Sequence, residues 1–374
     1  MTKTALLCAG GTGGHMFPAQ ALAVELKGRG WHVELATDER GLRYSDGFPV
    51  RAVHTIPSAT FGSKNPIALA RSAITLLKGY LAARRVVSSF GPSISVGFGG
   101  YPTLPPMFAA SHKGVPLVLH EQNAVLGRAN KLLSSRAHAV AAGFAGAGLP
   151  DHAVITGNPL RPDVLEIARR LDALTGVEQA YAASSGDAQF HLLVFGGSQG
   201  ASYFGETVPA AIALLPENVR ERLRLTLQAR PDTVESVRAA LEGVVEGAKI
   251  SHFFDDMPAR IEKAHLVISR AGASTVSEIA AIGRPALLVP YPHALDHDQA
   301  ANAQQLVERG AAHVVKQSDL NAAAMSDHIQ RAMREPERLA QQAKAAAMTA
   351  QPDATNQLAD LVEMVVDGRY KPTA

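Results

Sequence analysis

Short apolar runs of about four to six residues recur along the chain. Between them lie stretches whose apolar positions fall three and four apart. Residues 6–9, 32–37, 93–97, 115–119 and 137–141 read as strands, and a second set covers 192–195, 223–228, 249–253, 266–269, 286–289 and 312–315. Helical spacing fills many of the gaps, for example over 20–27, 205–215, 276–282 and 299–309. Near-continuous apolar strands alternating with amphipathic helices predict parallel sheets covered by helices on both faces. Two distant segments also match each other, LLxxGG[TS]xG at 6–14 and again at 192–200. Each is a buried-type strand, a glycine loop and a helix, which is the opening of a nucleotide-binding α/β unit. The polar, small-residue stretch 176–189 reads as a loop ahead of the second unit, and Gly157-Asn158-Pro159 as a turn. These marks place one domain at 1–160 and another at 161–351. The segment 352–374 looks helical and is free to pack back on the first.

Composition narrows the function classes. A chain of 374 residues at 47% hydrophobic and 19% charged can build two cores. Net charge is only +2, which gives no case for nucleic acid, but the sum hides a split. Residues 1–160 carry 15 Lys and Arg against 7 Asp and Glu, whereas 161–374 carry 21 against 27. Residues 47–120 hold seven basic side chains and no acidic one. The first half is suited to meet anions. The single cysteine, Cys8, excludes an intrachain disulfide and a multi-cysteine zinc cage. No apolar run reaches the roughly 18 residues of a membrane span, and residues 1–10 do not read as a signal peptide. The expectation is a cytoplasmic protein able to lie on a membrane.

The glycines of the first loop let backbone N–H groups approach a ligand, and the helix that follows favours an anion. A tight strand-to-helix turn is the plainer reading. The dinucleotide fingerprint fails, since Gly11-Thr12-Gly13-Gly14-His15-Met16 ends in methionine, although Asp38 stands where a ribose-binding acid would. His15, just past this loop, is a candidate general base. A further glycine cluster, Gly97-Phe98-Gly99-Gly100-Tyr101-Pro102, lies in the stretch without acids.

The runs GGTGGHMFPA (10–19), HEQNAVLGRANKLL (120–133), GNPLRPDV (157–164), FGGSQGA (195–201), FFDDM (253–257) and SRAGASTVSEIAAIGRPALLVPYP (269–292) together resemble one family. It is the bacterial N-acetylglucosaminyltransferases that convert lipid I to lipid II in peptidoglycan synthesis. The resemblance implies a GT-B fold, two Rossmann-like doubly wound parallel-sheet domains with a cleft between them. The acceptor and membrane would be met by 1–160 and UDP-N-acetylglucosamine by 161–351. It further implies that Ala273, Ser274, Thr275 and Ser198 bind the donor diphosphate, with Thr12, Gly13 and Gly14 on the donor side as well. Glu278 would accept from both ribose hydroxyls, as a carboxylate can, and Phe254 would lie at the uracil. Arg161 would add positive charge, and Gln299 and Asn123 would reach the sugar. The run HALDHDQAAN is one residue longer than in some relatives, with Asp298 where some have a second glutamine. Gly13, Gly14, Gly99, Gly100 and Tyr101 are the expected acceptor-diphosphate site. The reaction would be an inverting displacement by the muramyl 4-hydroxyl, with His15 or Glu121 as base. Asp296-His297-Asp298 fits the letters of a metal motif but not its context, so no metal and no cofactor are expected.

Residues 65–85 read as a helix apolar on two sides. Leu69, Ala73, Leu76 and Tyr80 form one side; Ile67, Ile74 and Leu81 form the other, beside Arg71, Lys78 and Arg85. Either both sides are buried and the cations snorkel out, or the second side docks on an anionic membrane surface. With the resemblance, this implies a peripheral enzyme on the cytoplasmic face of the inner membrane, meeting an undecaprenyl-diphosphate-linked acceptor, with cell-wall synthesis proteins as candidate further partners. The rival readings are a sugar-nucleotide 2-epimerase, a glycolipid synthase, a nicotinamide-dependent oxidoreductase and a UDP-sugar sensor.

Overall fold

The computed structural model describes residues 2–59, 65–146, 148–173, 189–197, 202–294 and 298–371. The chain divides into two compact units, Met1–Arg161 with Gln351–Ala374, and Pro162–Ala350. Among the described residues of the first unit, seven strands form one parallel sheet: β1 (Thr4–Cys8), β2 (His32–Thr37), β3 (Val53–Thr55), β4 (Ile94–Gly97), β5 (Leu117–Glu121), β6 (Ala139–Ala142) and β7 (Val154–Ile155). Their spatial order is β3-β2-β1-β4-β5-β6-β7, so the winding reverses between β1 and β4. In register, Leu6 of β1 faces Glu34 of β2 and Ser95 of β4.

The second unit repeats the plan with β8 (Phe190–Phe195), β9 (Leu223–Gln228), β10 (Lys249–Ser251), β11 (Leu266–Ser269), β12 (Ala286–Leu288) and β13 (Ala312–Val314). The order is β10-β9-β8-β11-β12-β13, reversing between β8 and β11. At such a reversal the loops after the two central strands run to opposite faces of the sheet and leave a crevice for ligands at the carboxyl edge. The two matching glycine loops follow β1 and β8, and Gly11 and Gly197 share a φ of 81°. That left-handed backbone is why glycine is needed at both.

The helices begin earlier than their spacing suggested. Gly13–Gly28 starts inside the glycine loop, which puts His15 in its first turn, and Ala273–Ile282 likewise starts before residue 276. β5 runs two residues later than expected, through His120 and Glu121, and the edge strands β3 and β7 add to the expected set. The expected loop at 176–189 falls almost wholly outside the described residues.

The Ala354–Val366 helix packs on the first unit, where Leu358, Leu361 and Val362 join Leu22, Leu26 and Val33 in one core. Arg29 Nη1 donates to Asp360 at 2.5 Å and to Glu363 at 3.0 Å, and Trp31 Nε1 donates to Glu363 at 3.1 Å.

The Pro66–Phe90 helix is capped by Asn65, whose side chain accepts from the Ile67 amide, and ends at Gly91 with φ 61°. Its buried residues are Gly79, Ala83 and Val87, with Leu76 and Tyr80 half-buried. A Cβ at Gly79 would stand 2.0 Å from the Pro57 carbonyl oxygen, so the close approach requires glycine. Leu69 and Ala73, expected on the packed side, are instead exposed, because the fully buried positions of this helix begin only at Gly79. Ile67, Ile74 and Leu81 are 67, 55 and 49% exposed, joined by Leu77 at 58%. Among the described residues no helix is long and apolar enough to cross a membrane.

Candidate functional site

In the first unit the candidate residues converge where β1, β4 and β5 end. The loop after β1 is held by Asp38, whose Oδ1 accepts from the amides of Gly11 (2.8 Å) and Gly41 (3.0 Å) while Oδ2 accepts from Arg40 Nε (2.9 Å). A Cβ at Gly10 would be 2.7 Å from both Asp38 Oδ1 and Pro102 Cβ. Asp38 is thus buried as a loop support rather than offered to a ribose. Thr12 precedes the Gly13–Gly28 helix as its N-cap, and the amides of Gly13 and Gly14 belong to the first turn, which lacks intrahelical acceptors.

His15 is half-buried. Its Nδ1 lies 3.2 Å from the Gly10 carbonyl and 3.4 Å from Thr12 Oγ1. A proton on Nδ1 donated to Gly10 leaves Nε2 as the acceptor. The ring rests on the turn after β4: a Cβ at Gly99 would be 3.5 Å from Nε2, and one at Gly100 would be 3.3 Å from Cε1. Both glycines have positive φ, 82° and 77°, and Tyr101 opens the short turn that follows. Burial lowers the His15 pKa and Arg40 adds to this; Glu121, the Gly10 carbonyl and Asp38 oppose it.

Glu121, 2% exposed at the end of β5, accepts four N–H bonds. Its Oε1 takes the Asn123 amide (3.0 Å) and Asn123 Nδ2 (3.1 Å), and its Oε2 takes the Gly127 amide (2.8 Å) and Asn130 Nδ2 (2.9 Å). A carboxylate has about four lone-pair sites, so both oxygens are engaged. His120 beside it is fully buried, with Nε2 donating to the Gly157 carbonyl at 3.0 Å and Nδ1 accepting from Gln122 Nε2 at 3.2 Å. Burial pushes its pKa down to about 4, which keeps it neutral. Arg161 places its guanidinium 4.9 Å from the centre of the Phe17 ring, two residues beyond His15.

In the second unit β11 ends at Ser269, and Gly272 caps the Ala273–Ile282 helix. Ser274 and Thr275 lie partly exposed in its first turn; Glu278 follows one turn on and is buried. Phe254 stacks under Arg260, with 4.0 Å from the guanidinium to its ring centre. Gln299, in the Asp298–Glu308 helix, accepts from the Tyr291 amide at 2.9 Å through its side-chain oxygen. Ser198 and the Asp296-His297 pair lie outside the described residues. Among the described residues no group of three His, Cys, Asp or Glu side chains is placed to hold a metal ion.

Sequence reasoning passed over several residues here. Asn302, fully buried, donates to the Ala271 carbonyl at 3.2 Å and so braces the loop before the Ala273–Ile282 helix. Arg270 is buried in that same loop. Asn130 donates to both Glu121 and the His120 carbonyl. The signal available was their place in the motif runs, since each stands inside or just beyond one.

Residues 5–142 match the glycosyltransferase family 28 N-terminal domain, and 191–358 match the C-terminal domain of the same family. The chain belongs to glycosyltransferase family 28. A protein of Rhizobium johnstonii named UDP-N-acetylglucosamine--N-acetylmuramyl-(pentapeptide) pyrophosphoryl-undecaprenol N-acetylglucosamine transferase is 52% identical over 367 residues, 97% of this chain and 96% of its own. One of the same name from Brucella suis is 53% identical over 371 residues, 97% and 94% of the two chains. The crystal structure of Acinetobacter baumannii MurG aligns with a TM-score of 0.76 at 28% identity, covering 97% of this chain and 99% of that one. A Listeria monocytogenes putative UDP-N-acetylglucosamine 2-epimerase aligns at 0.70 with 14% identity, a likeness of fold alone. This member of the family therefore has the two parallel-sheet domains of the GT-B glycosyltransferases.

Proposed function

We propose that this glycosyltransferase moves N-acetylglucosamine from UDP-N-acetylglucosamine to the 4-hydroxyl of the muramyl sugar of lipid I, giving lipid II. The observation that carries the reading is the 52% identity, across both domains, to relatives named for that transfer. His15 is the base. Its Nε2 takes the hydroxyl proton as the oxygen bonds to the anomeric carbon, and the bond from that carbon to UDP breaks with inversion. Gly13, Gly14 and the Gly99-Gly100-Tyr101 turn, close around His15, hold the acceptor's diphosphate through backbone amides.

On the donor, Ala273, Ser274 and Thr275 at a helix N-terminus, together with Ser198, stabilise the departing diphosphate. Glu278 accepts from the ribose hydroxyls, Phe254 lies at the uracil, and Gln299 releases Tyr291 to reach the sugar. Thr12 and Asn123 assist at the sugar, and Arg161 adds charge. The exposed face of the Pro66–Phe90 helix, with Ile67, Ile74, Leu81, Arg71, Lys78 and Arg85, seats the enzyme on the anionic cytoplasmic membrane surface. Incubation with labelled UDP-N-acetylglucosamine and a lipid I analogue tests the reading. A labelled disaccharide product is expected, and free sugar or an epimerised nucleotide alone overturns it.

A further inference from the structure

Arg270 directly follows β11 and is 7% exposed. Its Nη1 donates to the carbonyls of Val289 (3.1 Å) and Pro290 (3.3 Å), and its Nη2 donates to Gln317 Oε1 (2.6 Å). The rings of Tyr203, Phe204 and Tyr291 lie 5.3 to 5.6 Å from the guanidinium. All of these neighbours are neutral. Nε, also buried, has no hydrogen-bond partner, and no carboxylate pairs with Arg270 among the described residues.

The position matters as much as the pairing. Val289 and Pro290 follow β12, Gln317 follows β13, and Tyr203 and Phe204 open the Ser202–Ala213 helix after the second glycine loop. One guanidinium therefore ties together the carboxyl ends of the sheet at the β8/β11 reversal, where an α/β sheet binds its ligand. A buried cation without a counter-ion costs stability, and carbonyl dipoles and ring faces offset only part of that. Arginine does not lose its proton to relieve the cost. The remaining positive potential, in a site of low dielectric, favours an anion bound beside it.

We propose that Arg270 is the fixed positive charge that the diphosphate of the nucleotide sugar neutralises. The proposal rests on reading the second unit as the donor domain. Its test is the difference between UDP and uridine, which share base and ribose but not charge. Calorimetry on the full-length enzyme is expected to show Arg270→Gln weakening UDP by roughly ten- to a hundred-fold, the scale of one charge at reduced dielectric. Uridine binding stays within two-fold. Arg270→Lys keeps the charge without the fork and should retain most of the UDP-over-uridine preference. Should the glutamine variant fail to fold, Arg270→Met, which fills the same space among the rings without a charge, takes its place with the same expected loss of UDP and not of uridine. An unchanged preference in Arg270→Gln overturns the proposal. So does its collapse in Arg270→Lys, or an equal loss of UDP and uridine with a lowered melting temperature. A wild-type enzyme with no preference for UDP would instead overturn the donor reading itself.

Discussion

Glu121 and His15 are both proton acceptors by residue type, and their hydrogen bonds tell them apart. Each Glu121 oxygen already accepts twice, whereas His15 spends only Nδ1 on the loop. His15→Ala is accordingly expected to lower kcat by about 10²–10⁴ while UDP affinity stays within a few-fold. A loss of turnover that follows UDP affinity would make His15 a binding residue. Because burial lowers the His15 pKa while Glu121 raises it, activity is expected to fall on the acid side below the ordinary pKa of about 6.5. Glu121→Gln should move that limb to still lower pH, and an unmoved limb would separate the two groups.

His120 affects stability rather than chemistry. Held neutral, with a pKa near 4 against about 6.5 unfolded, it binds fewer protons in the native state than in the unfolded one between those values. Stability is then present above pH 6.5 and lost as the pH falls toward 4, by about 3 kcal/mol. Denaturant titrations of His120→Gln and wild type across this window should differ in slope. Spacing could nominate the HEQN run, but it could not show that residues 123, 127 and 130 close around one carboxylate. That closure depends on a loop folding back on its own strand.

Elements were legible to the extent that their periodicity was unambiguous. The central strands β1, β4, β8 and β11 are mostly apolar and almost wholly buried, so they stand out. Val53–Thr55 and Val154–Ile155 are edge strands of three and two residues, too short and too exposed to leave a pattern. Helix starts are hidden in sequence because glycine loops carry no apolar signal, although the first turn is already formed there. The Pro66–Phe90 helix had two apolar sides in sequence. Packing chose between them through small residues, Gly79 and Ala83, that an apolar count overlooks.

Its outward face motivates a prediction. Each cation near an anionic surface contributes about 1 kcal/mol, screened within a Debye length of about 8–10 Å. Replacing Arg71, Lys78 and Arg85 by Ser should therefore abolish most binding to anionic vesicles. Turnover of a short-chain, water-soluble acceptor should be unaffected, because these side chains are exposed. Equal loss on soluble and membrane-borne acceptors would show a folding defect instead.

At the scale of the whole molecule, the chain builds the same doubly wound unit twice, and each copy has its own core and its own reversal of strand order. The internal match at 6–14 and 192–200 announces this duplication, because both copies need a left-handed glycine in the loop after their first strand. What no local pattern announces is that the final helix completes the first unit rather than the second. Leu358 on that helix is fully buried in the core shared with Leu22 and Leu26. Leu358→Ala should cost about 2–5 kcal/mol, the usual range for a buried leucine that leaves a cavity. The cost should fall on the first unit, although residue 358 follows the second in sequence. Calorimetry is expected to show a lowered transition for the variant, with UDP affinity kept within two-fold at temperatures below it. Hydrogen exchange should locate the loss of protection in β1, β2 and the Gly13–Gly28 helix. Faster exchange in β8 and β11 at the same temperature would mean that the last helix stabilises both units as one cooperative block.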